Sequence, residues 1–126
     1  MNVNQKGMKG LLQVMADLHQ RNFYLFPAFD DYSPIDLVAA SPEGKLYRFQ
    51  VKYKTVDPRA KRPIYGLSAT TVNGGVKRKI NLDMIDGWAV YLSNDDKVVY
   101  VHKKMLGEQT SITINTLSQF IPLEEW

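Results

Sequence analysis

Three side chains of this sequence, Asp36, Gln50 and Lys52, are of types that together could hold a divalent cation and polarise water. Period-two reading of Tyr47–Lys54 puts Tyr47, Phe49, Val51 and Tyr53 on one face of a strand and Arg48, Gln50, Lys52 and Lys54 on the other. The first face is apolar and belongs in a core. The second is a polar and cationic row that no packing requirement explains. A carboxylate and an amide oxygen suit a hard divalent cation, and a neighbouring ammonium polarises water or stabilises an oxyanion. Read without that chemistry, the same row is a solvated strand edge and Asp36 a turn residue.

What brings these residues together is the turn between them. Ser41-Pro42-Glu43-Gly44-Lys45 has Pro at the second turn position and Gly where a left-handed residue follows a type I turn, the pattern of a three-residue hairpin loop with a bulge. Pairing Ser41 with Lys45 sets Asp36 opposite Gln50, with Lys52 one diagonal step away on the same face, and directly opposed Cβ atoms in such a pair lie roughly 5 Å apart. The hairpin strands are expected at 35–40 and 46–54.

The remaining elements describe an α/β chain. Met8, Leu11, Leu12, Met15 and Leu18 recur at helical spacing, so a helix is expected over 7–21, ending near Asn22. A short strand at 23–26 stops at Pro27. Asp30 and Asp31 read as acidic turn residues, able to lend a loop charge to Asp36. A Pro-flanked loop follows the central hairpin and presents Arg59, Lys61 and Arg62. A second hairpin, 64–72 with 76–80, turns at Asn73-Gly74-Gly75. A short helix capped by Asn81, strands at 88–92 and 98–102, a strand at 110–114 and a helical turn from Asn115 complete the pattern. The chain is expected to form one domain over 1–126.

Composition narrows the function classes. Hydrophobic content of 44% and charged content of 23% are ordinary for a globular protein, and with no cysteine there is neither a disulfide nor a thiolate metal site, which fits a cytoplasmic location. No apolar run approaches a membrane span, and the first residues lack a secretory pattern. No Gly-rich phosphate loop, nucleophile elbow or zinc spacing is present. His19 and His102 read as structural, and the strand tyrosines Tyr24, Tyr47, Tyr53 and Tyr65 as core residues before stacking platforms.

Net charge is only +3, but residues 45–79 hold ten basic side chains against the single acid Asp57. The rest of the chain holds six basic and twelve acidic residues. A chain polarised in this way, with Arg48, Lys54, Arg59, Lys61, Arg62, Lys77, Arg78 and Lys79 around Lys52, suits a phosphate backbone. An acidic protein partner is the alternative reading of the same surface.

At these residues the chain resembles the PD-(D/E)XK nuclease superfamily, and most of all its group I intron-associated, homing-type endonucleases. Ile35-Asp36 with Gln50-Val51-Lys52 carries the likeness, joined by Lys6-Gly7 at the first helix and by Asp83-Met84-Ile85-Asp86-Gly87-Trp88 before a core strand. The likeness spans about residues 6–102. It implies a restriction-endonuclease-like core, a central mixed β-sheet flanked by helices, and a metal-dependent DNA endonuclease of homing or resolvase type. It further implies Mg²⁺ or Mn²⁺ held by Asp36, the Gln50 amide oxygen and the Val51 carbonyl, with Lys52 on the attacking water or the phosphate. DNA is the implied partner, and cutting both strands implies a homo-dimer or tetramer. One position departs from the pattern. The family's first-helix Glu falls at Leu11, which cannot hold a cation, so a catalytically weakened DNA-binding protein is the second reading.

Overall fold

The structure, a computed structural model, describes residues 1–61, 64–73, 75–114 and 120–126. A long helix, α1 (Val3–Gln20), leads the chain. It begins about one turn earlier than apolar periodicity indicates, because Asn2 and Gln5 form a capping box: each side chain accepts the other's backbone N–H. It ends at Arg21, and Asn22 takes the left-handed conformation at φ 65° that terminates helices.

The strands are β1 (Tyr24–Pro27), β2 (Leu37–Ala40), β3 (Leu46–Lys54), β4 (Gly66–Ser68), β5 (Thr70–Asn73), β6 (Val76–Lys79), β7 (Gly87–Leu92), β8 (Lys97–His102) and β9 (Ser111–Thr113). Five of them form the expected central mixed sheet, in the order β1-β2-β3-β7-β8, with β3 and β7 parallel and the other neighbours antiparallel. The β2–β3 loop forms as its sequence dictates. Gly44 N–H donates to the Ser41 carbonyl at 2.8 Å, Gly44 sits at φ 90°, and Ser41 N–H reaches the Lys45 carbonyl at 2.8 Å.

Alternation along the strands divides the core in two. Leu37, Ala39, Tyr47, Phe49 and Ala89 face α1 and pack with Val14 and Leu18. Trp88, Val90, Leu92 and Val101 face the other way and are covered by Tyr65, Leu67, Ala69, Ile80 and Ile85. Each large apolar side chain removed from water contributes roughly 1.5–3 kcal/mol, so these two layers fix which side of β3 looks where. α1 comes close to β3 at Gly10, where an added Cβ would lie 3.3 Å from that of Tyr53 and 3.6 Å from the Lys52 carbonyl.

The strand expected over 64–72 is broken. Ala69 donates to the Thr110 carbonyl at 2.9 Å and accepts from Ile80 N–H at 2.9 Å, so it is shared between two partners. The chain therefore divides into β4, which pairs with β9, and β5, which pairs with β6. The expected strand at 110–114 is realised as β9, the Asn81-capped helix is a 3₁₀ turn at Leu82–Met84, and the helical turn expected from Asn115 lies outside the described residues.

Candidate active site

β2 and β3 bring the expected residues to one end of the strand pair. Ladder pairing runs from Ala40↔Leu46 to Leu37↔Phe49, the register set by the Ser41–Lys45 turn. At Asp36 it slips. Asp36 N–H donates to the Phe49 carbonyl at 2.9 Å, so Asp36 and Leu37 both answer to Phe49, and Asp36 does not sit squarely opposite Gln50. Its carboxylate instead reaches past Gln50, Oδ2 accepting from Val51 N–H at 2.8 Å. No described residue donates to Oδ1, which leaves that oxygen available to a ligand. In an extended strand the N–H and C=O of one residue point to the same edge. The Val51 carbonyl therefore also faces the Asp36 edge of β3.

Lys52 follows on the face away from α1. Its Nζ donates to the Thr70 carbonyl at 3.0 Å, tying the amine to β5. Burial raises the affinity of Asp36 for its proton, an effect only partly offset by the Val51 hydrogen bond and the Lys52 charge. Burial lowers the Lys52 pKa, helped by the charge of Lys54 and opposed by that of Asp36. The carboxyl and the amine are thus displaced toward each other, a pattern concentrated at reacting centres.

Gln50 is 5% exposed, and its Oε1 accepts from Trp88 Nε1 at 3.1 Å. An indole N–H only donates, so this bond fixes which end of the amide is oxygen. One lone pair of that oxygen holds the tryptophan, and no described residue donates to the other. Trp88 lies beside Gln50 in the parallel β3–β7 register, a partner that no local pattern around residue 50 reveals.

The donor set (one carboxylate, one amide oxygen, one carbonyl) is all oxygen and fits a hard cation that keeps several waters. Among the described residues no three His, Cys, Asp or Glu side chains converge as a metal cluster. Leu11 packs against the apolar layer beneath the sheet. Asp31 is close enough for its charge to raise the Asp36 pKa, whereas Asp30 is engaged in its own turn, accepting from Tyr32 N–H at 2.7 Å.

The basic residues separate into groups. Arg48 leaves the cationic row: it binds Asp86 through its side chain at 2.9 Å and its backbone N–H at 2.7 Å, and reaches the Asp83 carbonyl at 3.0 Å. Burial alone would raise the Asp86 pKa, but the Arg48 hydrogen bonds bring it below the ordinary carboxylate range. Arg59 pairs with Asp57 in its own exposed loop at 3.2 Å, Lys61 is exposed, and Arg62 lies outside the described residues. Lys54 is half-buried, its pKa lowered by burial and by Lys77, which places β6 near the end of β3. Lys54 also lines a cleft of about 740 Å³ toward β4 and β9 that holds no carboxylate. Lys77, Arg78 and Lys79 are exposed along β6. Of the two histidines, His19 is exposed and His102 is buried against Trp126, with Nδ1 accepting from Lys104 N–H at 3.0 Å.

Comparison with known proteins bears on the family and the fold. A family model described as PD-(D/E)XK endonuclease matches residues 1–119. The solved structure of the bacterial homing endonuclease I-Ssp6803I superposes with a TM-score of 0.73 at 15% identity, covering 98% of this chain and 86% of that one. At that identity the likeness is one of fold. No curated protein matches the sequence.

Proposed function

The chain belongs to the PD-(D/E)XK endonuclease family, and from that premise we propose that it hydrolyses DNA phosphodiesters with a divalent cation at Asp36. The observation that carries this reading is the Asp36–Lys52 pair at the slipped end of the β2–β3 ladder, each pKa displaced by burial toward the other. Asp36, the Gln50 amide oxygen and the Val51 carbonyl would hold Mg²⁺ or Mn²⁺, which supplies charge on the phosphate when bound. Val51 N–H orients the carboxylate through Oδ2. Lys52, held by Thr70, donates to the phosphate or, in its neutral form, takes the proton of the attacking water. Lys54, Lys77, Arg78 and Lys79 contact the DNA backbone, Arg59 and Lys61 contribute from the adjoining loop, Arg62 is a further phosphate contact on its charge alone, and Arg48 acts by holding Asp86.

Cutting both strands calls for a second copy, as a dimer or tetramer. Tyr24, Phe26 and Leu46 lie exposed on one face at the β1 end of the sheet, in register through Ala40 and Val38, and offer an apolar surface for that contact. Whether the target is a specific duplex site, as for a homing enzyme, or branched DNA, as for a resolvase, is a matter of the DNA offered. Leu11 and a donor set with only one carboxylate, Asp36, among the described residues favour a second reading, a DNA-binding relative whose cutting has lapsed.

Nicking of supercoiled plasmid in Mg²⁺ and Mn²⁺ separates the two. The expected result is cleavage by the wild type that is lost in both Asp36→Ala and Lys52→Ala. Cleavage that survives Asp36→Ala removes this site from the reaction, and a wild type that binds DNA without cutting it supports the lapsed relative.

A further inference from the structure

The segment joining β1 to β2 is built as a braced aromatic tip. Its two ends meet at Asp36: Ala28 N–H donates to the Asp36 carbonyl at 3.0 Å, and Asp36 N–H to the Phe49 carbonyl at 2.9 Å. Between them, Tyr32 N–H donates to Asp30 Oδ1 at 2.7 Å, Ile35 N–H to Ser33 Oγ at 3.0 Å, and Ile35 anchors in the core. On this fixed frame Phe29 is wholly exposed and Tyr32 is 84% exposed. Two aromatic rings presented to water by a loop with its own internal hydrogen bonds serve no packing need of the monomer.

Tyr32 also lines a cleft of about 200 Å³ between this loop and the β5–β6 hairpin. Its other walls include Asp31, Pro34, Arg78, Lys79 and Asn81. Arg78 and Lys79 are neighbours on β6 and turn to opposite faces, so the two cations border the cleft from different sides, beside the same Asp31 whose charge is felt by Asp36. Aromatic faces beside cations are the elements of base stacking with phosphate contact. A second copy of the chain docking on the same surface would bring its own Arg78 and Lys79 against these, and like charges oppose that arrangement.

We infer that the Ala28–Pro34 loop is a wedge that stacks Phe29 and Tyr32 on a base beside the phosphate held at Asp36, with a neighbouring phosphate in the cleft of Arg78 and Lys79. This rests on the reading of Asp36 as the DNA-cutting site. Inserting an aromatic side chain at a base step unstacks it, so DNA that is already unstacked binds more tightly. The protein then senses how easily its DNA deforms, as well as its charge.

The test is equilibrium binding, at low salt in EDTA and in Ca²⁺, of a mixed-sequence labelled duplex and of the same duplex carrying a central two-base mismatch. The wild type is expected to prefer the mismatched duplex by about fivefold or more. The double variant Phe29→Ala, Tyr32→Ala should lose that preference and bind the mismatched duplex at least about tenfold more weakly, the scale of one lost base stack. Both side chains are exposed, so circular dichroism and the urea midpoint should not change. A wild type that binds both duplexes equally overturns the wedge while leaving the nuclease reading intact. So does a double variant that keeps the preference but sediments as a smaller species, because the rings would then belong to a self-association surface. A wild type that binds neither duplex overturns the DNA reading and the wedge with it.

Discussion

Replacing Asp36 separates what the carboxylate does for the fold from what it does for the reaction. In Asp36→Asn the side-chain oxygen can still accept from Val51 N–H, the 2.8 Å bond of the wild type, while the buried charge disappears. Burial raises the Asp36 pKa in spite of the Val51 bond and Lys52. A raised pKa means that the group's contribution to stability is complete below the ordinary carboxylate range and is lost as pH rises through the folded value. At neutral pH the wild type therefore carries the cost of a buried charge, and Asp36→Asn should be as stable as wild type or more so. The advantage should shrink as pH falls and the wild-type carboxyl takes up its proton. Asp36→Ala removes the acceptor and leaves Val51 N–H unpaired, a loss of about 1–3 kcal/mol that relief of the buried charge only partly offsets. For a chain of this size each kcal/mol moves Tm by about 3–6 °C, so thermal melts at neutral and acidic pH resolve the two variants. Both should nick plasmid on the order of 10³-fold more slowly, because several kcal/mol of charge stabilisation is lost at 1.36 kcal/mol per tenfold. An asparagine variant as unstable as the alanine variant, or either variant cutting at the wild-type rate, refutes the reasoning.

Three other outcomes are expected. Asp86→Asn loses the ion pair with Arg48 and should lower urea-measured stability by about 1 kcal/mol at pH 7, the pair being partly exposed; because the Asp86 pKa is depressed, the difference should vanish once pH falls below the ordinary carboxylate range and wild-type Asp86 protonates. Arg78→Ala with Lys79→Ala should reduce the slope of log Kd against log salt by about 2 if each cation meets one phosphate, a change read from titrations at several salt concentrations. Gly87→Ala puts a Cβ 2.3 Å from the Val101 carbonyl and 2.6 Å from the Trp126 ring; β7 and β8 must move apart, which should cost at least about 2 kcal/mol in the urea midpoint.

Local chemistry made the core of this fold readable. The Ser41–Lys45 loop fixes its own turn type through Pro42 and Gly44, and the turn fixes the β2–β3 register that brings Asp36 beside residues 49–51. Apolar spacing marked α1, while the Asn2–Gln5 capping box that sets its true start was present in the sequence and decided its length. The division at Ala69 had no such signal, because its two hydrogen bonds go to Thr110 and Ile80, neither of them within the apparent strand.

The candidate site divides along the same line. Residue types and one turn determined that an acid, an amide and an amine share a strand end, and charge counting placed the basic region around them. Tertiary structure decided their states. The β3–β7 pairing set Trp88 against Gln50, Asp86 removed Arg48 from the cationic row, and β5 took hold of Lys52. It also buried Asp36 and Lys52 enough to displace both pKa values. Turns and caps are closed by groups a few residues apart, so the sequence carries them whole. Desolvation and long-range hydrogen bonds depend on what the rest of the chain lays over a residue, which only the folded molecule fixes.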